Sequence, residues 1–341
     1  MSDAKIYCLV RGSSYEEAEQ KLRRSMDKYQ LGKNIVEDKE RVVVVPGDLA
    51  EPNLKIDPST YDVLCETVDC ILHCGAHVHH LYNYEMMRTD NVLGTLEILK
   101  LAATKKNKHL HNVSTLSAVA EYHDENDWIT EDFPAENGVK LDGLNGYAQT
   151  KLAAEILLGK AFERGMSVFT YRPTWIIGHS TTGAFAFENN HLFLLMKGCL
   201  QLGGAPVLDA KLNLIPVDTV SSFIVKTALE NKLQKRVFNL ISPINVDWND
   251  VIRRLNDNGY KIDMVSPSDW QKKYLSKIDE WNALYPLMSL YLDGGVQWAA
   301  MQNIPFQSDT DGATLNWSCL DLGYEKILDN VIRIYHTFFG R

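Results

Sequence analysis

The sequence lacks the features that mark a membrane protein or a nucleic-acid-binding protein. No apolar run approaches the ~20 residues that a membrane-spanning helix needs, and the N-terminal MSDAK is not followed by the apolar stretch of a signal peptide. The 44 acidic residues outnumber the 35 basic ones and give a net charge of -9, which argues against nucleic acid as the main partner. These absences predict a cytoplasmic protein without a membrane or nucleic-acid partner.

Paired cysteines are also missing, since the six cysteines are scattered and form no CxxC pair. Cys70 and Cys74 lie near several histidines, an arrangement that suggests a metal site at first sight. The two residues bound the apolar run DCILHC, however, where free cysteine behaves as a small hydrophobe. We expect reduced thiols and no metal.

The most informative absence concerns glycine. The chain has 21 glycines, yet neither GxGxxG nor GxxGxxG occurs. A dinucleotide-binding fold normally opens with a strand and such a loop, whereas this chain begins a few residues before what looks like the second strand. We expect either that Met1 is not the start of the functional protein or that the protein is degraded from an active ancestor.

What is present is an alternation of short apolar runs with amphipathic segments, which predicts crossover units and a parallel sheet covered on both faces. The predicted strands are Lys5–Val10, Arg41–Val45, Cys70–Cys74, Leu110–Ser114, Ser167–Tyr171 and Val237–Ile241. The predicted helices are Tyr15–Tyr29, Asn91–Thr104 and Ala148–Arg164. The fold class is therefore α/β, a Rossmann-type doubly wound parallel sheet whose first strand and glycine-rich loop are absent.

The alternation of short apolar runs with amphipathic segments ends after Gly178. Residues 184–234 and 247–301 are predicted to be mostly helix and loop. We expect residues 1–178 to form an N-terminally truncated NADP-binding domain. Residues 179–341 are expected to form a smaller, mostly helical substrate lobe, from which one strand near 237–241 returns to the sheet.

Ligands of such a sheet bind at the carboxyl ends of its strands. The first predicted strand ends in Arg11, and an arginine there suits the 2′-phosphate of NADPH better than the ribose hydroxyl of NAD. Lys21 on the following helix can reach the same phosphate, although a solvated helix charge explains it equally well. A plain surface role is the alternative for Arg11.

The next two strand ends also carry candidate cofactor contacts. Asp48 and Leu49 follow the second strand, where the carboxylate can accept from the adenine amino group; an N-cap role is the alternative for Asp48. Gly75 and Ala76 follow the third strand, and small residues let a dinucleotide pass close to the main chain. Asn91 opens the next helix and is expected to brace neighbouring loops.

The chemistry is expected to reside in Thr115, Tyr147 and Lys151. Tyr147 and Lys151 are four residues apart and therefore share one helical face. A phenol of pKa ~10 is a poor acid–base group, but an ammonium and the charge of a nicotinamide favour its phenolate. The Thr115 hydroxyl, at a strand end, would hold the substrate oxygen beside Tyr147. Pro173 closes a later strand and would shape the loop beside the nicotinamide.

This set resembles the extended short-chain dehydrogenase/reductases, and more narrowly the thioester-reductase domains of nonribosomal peptide and polyketide synthetases and the reductase part of aminoadipate and carboxylic acid reductases. The resemblance runs from about residue 5 to about residue 260. Ala148 and Leu152 depart from it, since glycine and tryptophan are usual there. The matching stretches are CLVRG, VVPGDLAEP, ILHCGAHV, NVLGTLEILKLA, VSTLS, GYAQTKLAAE, YRPTWIIGHSTTG, KGCLQLGGAP and IPVDTVSSFIV.

The resemblance implies that NADPH reduces an acyl or peptidyl thioester, carried on the phosphopantetheine arm of a carrier protein, to an aldehyde or further to an alcohol. By position, Thr115, Tyr147 and Lys151 match the catalytic triad. The positions that match nucleotide contacts are Arg11, Lys21, Asp48, Leu49, Gly75 and Ala76. Two alternatives stay open: a sugar-nucleotide epimerase or dehydratase with the same triad, and a non-catalytic remnant that only docks a partner.

The family strand order 3-2-1-4-5-6 places the absent strand in the middle of the sheet. Lys5–Val10 and Asp69–Cys74 should then flank a vacant place about two strand spacings wide, roughly 10 Å. We expect no ladder hydrogen bonds between them, and such a chain should be unstable alone or should close the slot by pairing the two strands directly. NADPH should bind poorly because the pyrophosphate loses its loop and helix N-terminus.

Overall fold

Two parallel sheets form the framework of the protein. A computed structural model of the chain describes residues 4–31, 41–120, 129–135, 141, 144–186, 188, 190–230, 234–292 and 323–339. The first sheet pairs two strands near the N-terminus, and the second contains four. Helices pack on these strands, so the predicted α/β fold is confirmed.

The elements of the first half alternate as the sequence predicts. In chain order they are β1 (Ile6–Arg11), α1 (Tyr15–Lys28), β2 (Val42–Gly47), α2 (Pro58–Thr67), β3 (Cys70–His73), α3 (Tyr84–Arg88), a π-helical turn (Thr89–Leu93), α4 (Gly94–Ala103), β4 (His109–Val113), α5 (Gly146–Glu163) and β5 (Val168–Pro173). Short 3-10 turns occupy Pro52–Lys55 and Leu116–Val119.

The second half contains shorter elements. In chain order they are β6 (Trp175–Ile177), α6 (His191–Leu202), β7 (Gly204–Pro206), β8 (Lys211–Pro216), α7 (Val217–Glu230), β9 (Val237–Leu240), β10 (Asn245–Asp247), α8 (Trp248–Asp257), β11 (Asp263–Val265), α9 (Pro267–Lys273), α10 (Ser289–Leu292) and α11 (Tyr324–Phe339), with 3-10 turns at Leu275–Lys277 and Tyr285–Leu287.

The large sheet has the order β3-β4-β5-β9 and the small sheet joins β1 to β2, all in parallel. Among the described residues no ladder of hydrogen bonds connects β1 with β3, as the strand order predicted. Both strands keep an apolar side chain in contact with solvent: Ile6 of β1 is 45% exposed and Leu72 of β3 is 46% exposed. One hydrophobic cluster nevertheless holds the sheets together, since Val45 of β2 packs in the same core as Leu110 of β4 and Leu158 of α5.

The predicted strands and helices of the first half occur within about three residues of their expected bounds, whereas α2 and α3 were not predicted. In the second half the described residues between 184 and 234 are mostly helix and loop, as predicted, but they also contain β7 and β8, which were not predicted. β8 lies between β6 and the antiparallel β10, and β7 pairs with β11. Apart from β8 these strands are three residues long, too short to give a periodic pattern.

The core of the second half is built around tryptophan. Trp248 and Trp270 are fully buried, and their indole N–H groups donate to the carbonyls of Pro206 at 2.8 Å and Gly204 at 2.9 Å. These bonds satisfy the polar atom of each ring inside an apolar cluster. Trp281 lies outside this core and is 81% exposed. No helix among the described residues combines the length and apolarity needed to cross a membrane.

Local residues set the start of α1 and the end of α5. The Ser14 hydroxyl accepts from the Glu17 N–H at 3.2 Å and caps α1. The Glu17 carboxylate accepts from the N–H of Ser13 at 2.8 Å, so the reciprocal bond falls one residue before the cap. Gly165 takes a φ of +89° just after α5, the left-handed conformation that ends helices.

A buried lysine closes two helix ends near the sheet. Lys108 Nζ donates to the carbonyls of Cys65 at 2.9 Å, Thr104 at 3.0 Å and Lys106 at 2.7 Å. Lys108→Ala leaves these carbonyls without that donor and should lower the free energy of unfolding by about 3 kcal/mol. Urea unfolding measures the change. Lys100→Ala, which removes only an exposed ion pair with Glu97, is the control and should change it by less than about 0.5 kcal/mol; equal effects would contradict the role of Lys108.

Candidate active site

Several candidate residues lie at the carboxyl ends of parallel strands in the two sheets. Arg11 is the last residue of β1 and pairs in register with Gly47, directly before Asp48. In the larger sheet His73 pairs with Asn112, so Gly75 and Thr115 follow adjacent strand ends. The structure thus brings the sequence-predicted residues to the carboxyl edge, where α/β sheets bind ligands.

Arg11 and Lys21 behave differently at the first strand end. The Arg11 side chain is exposed. Lys21 Nζ donates to the Arg11 carbonyl at 2.9 Å and forms an ion pair with Glu17 at 2.6 Å. Lys21 therefore fixes the backbone that presents Arg11, while the guanidinium faces solvent. Hydrogen bonds from Lys21 and Ser13 lower the pKa of Glu17 to about 2, so this carboxylate stays charged.

The second and third strand ends meet at Leu49. The Asp48 carboxylate accepts from the Ala50 N–H at 3.0 Å, which orders the turn after β2. A side chain at Gly75 would collide with the Leu49 side chain, and one at Gly94 would approach the Leu49 carbonyl to 3.0 Å. The loop after β3 and the first turn of α4 can lie this close to Leu49 because glycine faces leucine in both places.

Asn91 connects the loop after β3 to the helix of Tyr147. Its amide oxygen accepts from the His77 N–H at 2.7 Å. Its amide nitrogen donates to the His77 carbonyl at 2.9 Å and to the Thr150 hydroxyl at 3.0 Å. Thr150 in turn donates to the Tyr147 carbonyl at 2.8 Å. Asn91 thus braces the strand-end loop, as the sequence indicates.

The start of α5 is fixed on both sides. The Asn145 side chain accepts from the Ala148 N–H at 2.9 Å and caps the helix. A Cβ at Gly146 would collide with the backbone of Tyr82 and Asn83, so the loop after β3 packs directly on the residue before Tyr147. The absence of a side chain at position 146 permits this contact.

Thr115 lies two residues beyond β4 in an extended conformation, with φ of -153° and ψ of 147°. Its hydroxyl lies 3.0 Å from the Ser117 hydroxyl and accepts weakly from the Ser117 N–H at 3.4 Å. Ser117 belongs to the same VSTLS stretch, although no role was expected for it from the sequence. Two hydroxyl groups, rather than one, are therefore grouped at this strand end.

Lys151 reaches the same strand end from α5. Its ammonium donates to the Val113 carbonyl at 2.9 Å, two residues before Thr115. Burial lowers the pKa of Lys151 to about 8, against the opposing effects of Glu155 and Cys74. An ammonium has three donors, so Lys151 can hold the strand end and still donate to a ligand.

The phenol of Tyr147 departs from the sequence expectation. In the chain alone burial raises the pKa of Tyr147 to about 12 instead of bringing it toward neutrality. The reason is desolvation, which disfavours the phenolate. Tyr147 is therefore protonated at neutral pH and available as a proton donor.

A buried ion pair that was not expected from the sequence lies directly behind Lys151. Glu155 on α5 and Arg172 on β5 are almost completely inaccessible, and Arg172 Nη2 lies 2.6 Å from Glu155 Oε2. The available signal was the single acidic residue in the apolar stretch LAAEILL, four positions after Lys151. Pro173 follows the pair, buried at the end of β5 beside Leu240.

The loop at His179–Gly183 is held by two later elements. The Ser180 N–H donates to Asp218 at the start of α7 at 2.8 Å. Arg333 of α11 donates to the carbonyls of Ser180 and Thr181, each at 2.8 Å. This loop is thus an ordered connection between the strand after Pro173 and the second half of the chain.

Comparison with known proteins identifies the family. The NAD-binding family described as male sterility protein matches residues 1–224. The crystal structure of the terminal R domain from the myxalamid PKS-NRPS biosynthetic pathway superposes with a TM-score of 0.75 at 35% identity, covering 84% of this chain and 71% of that domain.

Two characterised relatives are much longer proteins. A linear gramicidin synthase polypeptide of Brevibacillus parabrevis is 35% identical over 86% of this chain, which spans 6% of that polypeptide. The L-2-aminoadipate reductase large subunit of Eremothecium gossypii is 32% identical over 85% of this chain, which spans 22% of it. The resemblance to synthetase reductase domains is confirmed, and the chain belongs to this family of nicotinamide-dependent reductase domains.

Proposed function

We propose that the chain catalyses the NADPH-dependent reductive release of an acyl or peptidyl thioester from a carrier protein, giving an aldehyde. The observation that supports the proposal is that Lys151, on the helix that also carries Tyr147, donates to the Val113 carbonyl at the strand end that leads to Thr115, in a chain of a reductase-domain family. Continued reduction of the aldehyde would give an alcohol.

The residues at the edge fit the two ends of NADPH. The exposed Arg11 guanidinium offers a bidentate partner for the 2′-phosphate, and Asp48 offers an acceptor for the adenine amino group. Leu49, Gly75 and Ala76 would lie along the adenosine. The glycine loop that usually holds the pyrophosphate, in the middle of the cofactor, does not occur in the sequence.

When bound, the cofactor supplies the reducing equivalent to the thioester carbonyl carbon. The Thr115 and Tyr147 hydroxyls donate to the carbonyl oxygen, which becomes an alkoxide-like centre. Tyr147 transfers its proton to this oxygen. The carbon–sulfur bond of the resulting hemithioacetal then breaks, and an aldehyde and the carrier thiol leave. Lys151 keeps a positive charge beside Tyr147 and can donate to the nicotinamide ribose, while Pro173 shapes the adjoining loop.

The carrier protein is proposed to approach the second half of the chain. His179–Gly183 directly follows the strands beside Pro173, so it would line the entrance for the pantetheine arm. Asp218 and Arg333 hold this loop in place, which favours a preformed entrance.

Tyr147→Phe tests the proton donor. The phenylalanine keeps the ring but removes the hydroxyl, so turnover of an acyl-pantetheine thioester with NADPH should fall by about 10²–10⁴-fold. The rate is measured as the consumption of NADPH. Tyr84→Phe, on a short helix outside the proposed triad, is the matched control. Wild-type turnover in Tyr147→Phe would contradict the role of Tyr147.

The pH dependence tests Lys151. Burial lowers its pKa to about 8 and raises that of Tyr147 to about 12. The active form requires the ammonium, so kcat/KM should be level below pH ~8 and fall tenfold per pH unit above it. Lys151→Arg stays charged throughout and should abolish this basic limb in whatever activity remains. A wild-type profile that stays level to about pH 10 would contradict the assignment.

Arg11→Asp tests cofactor choice. The change replaces a partner of the 2′-phosphate with a like charge, so NADPH should bind more weakly and the preference for NADPH over NADH should narrow. Kd values for both cofactors measure this. Arg24→Asp, on the next helix, is the control. An unchanged NADPH/NADH ratio in Arg11→Asp would show that Arg11 is not the selector.

A further inference from the structure

The carboxylate of Glu155 is buried away from solvent. Its exposed fraction is 0%, and it lies one turn beyond Lys151 on the same face of α5. An isolated carboxylate in such a place is strongly disfavoured, so its partners must be in position for the helix to pack. These partners are Ser114 and Arg172, from two neighbouring strand ends.

The hydrogen bonds of Arg172 are complete. Nε donates to Glu155 Oε2 at 2.9 Å, and Nη2 donates to the same oxygen at 2.6 Å and to the Asp132 carbonyl at 2.8 Å. Nη1 donates to the Thr130 carbonyl at 2.9 Å and to the Asn239 side chain at 3.4 Å. These bonds match the five N–H donors of a guanidinium, which leaves Glu155 one defined orientation.

Glu155 also acts on the strand end that leads to Thr115. The Ser114 hydroxyl donates to Glu155 Oε1 at 2.5 Å. One residue earlier, the Val113 carbonyl accepts from Lys151 at 2.9 Å. Two consecutive residues of this strand end are thus tied to two consecutive turns of α5, and the residue that follows them is Thr115.

We propose that Glu155 is a positioning residue, which through Ser114 and Arg172 fixes the strand end of Thr115 against the helix of Tyr147 and Lys151. The inference rests on the proposed function, because it assumes that those three side chains act together. Their spacing matters because misplacement by about 1 Å can cost ~10²-fold in rate.

The charge of Glu155 adds a second, measurable effect. Glu155 and Cys74 both oppose the lowering of the Lys151 pKa that burial causes. On the other side, burial lowers the pKa of His73 to about 3, so this ring is neutral beside the ammonium. Arg172 is engaged with Glu155. Removing the carboxylate charge should therefore move the basic limb of the pH profile to lower pH.

Ser114→Ala is the first test, because it removes one bond to Glu155 and leaves the ion pair in place. We expect kcat to fall about tenfold while the KM for NADPH changes less than about twofold. Thr170→Val is the matched control: it also removes a buried strand hydroxyl, but that oxygen has no hydrogen-bond partner in the described part of the chain. It should leave kcat unchanged.

Glu155→Gln completes a double-mutant cycle. It should lower kcat by about 10–100-fold and shift the basic limb below pH ~8, and adding Ser114→Ala should cause no further loss. Additive losses, or an unmoved limb, would contradict the inference. If Glu155→Gln does not fold, Ser114→Ala and its control still decide the question.

Amide hydrogen exchange gives a readout independent of turnover. Ser114→Ala should speed exchange at residues 115–118, where the Ala118 N–H donates to the Thr115 carbonyl at 3.1 Å, and Thr170→Val should not. Unchanged exchange and unchanged kcat in Ser114→Ala would overturn the inference. Absence of thioester turnover in the wild type, with exchange altered as expected, would instead count against the proposed function alone.

Discussion

The position of the helix that carries Tyr147 and Lys151 depends on one buried ion pair, between Glu155 and Arg172. Removing one partner of such a pair typically costs about 3–5 kcal/mol, because the other charge is then buried alone. The pair joins α5 to β5, to the end of β4 through Ser114, and to the carbonyls of Thr130 and Asp132. The position of α5, and so of Tyr147 and Lys151, follows from keeping these contacts complete.

Burial changes the pKa values of Tyr147 and Lys151 in opposite directions. It raises the pKa of the Tyr147 phenol and lowers that of the Lys151 ammonium, because in both cases the charged form is the one that loses solvation. A protonated phenol beside a cation suits donation of a proton to a developing oxyanion.

The sequence predicted what repeats with a regular period and missed what depends on tertiary contacts. Periodicity alone predicts that Tyr147 and Lys151 share one helical face. It also predicts the strand-end positions of Thr115 and Gly75. The engagement of Lys21 with the Arg11 carbonyl does not, because it depends on how α1 lies over β1. Glu155 was missed because only the fold shows that the face of α5 on which it lies is turned toward the protein interior. The absence of a ladder between β1 and β3 in the described residues was predictable, since it follows from strand order.

The most direct measurement is the stoichiometry of the reaction. The full-length protein would be given NADPH and an acyl chain loaded as a thioester on a phosphopantetheine-bearing carrier protein, with a hydrazine reagent to trap aldehyde. The account predicts one trapped aldehyde and one free carrier thiol for each NADPH consumed. It is contradicted if NADPH consumption does not depend on the thioester, and above all if the protein instead interconverts a sugar nucleotide without net consumption of NADPH.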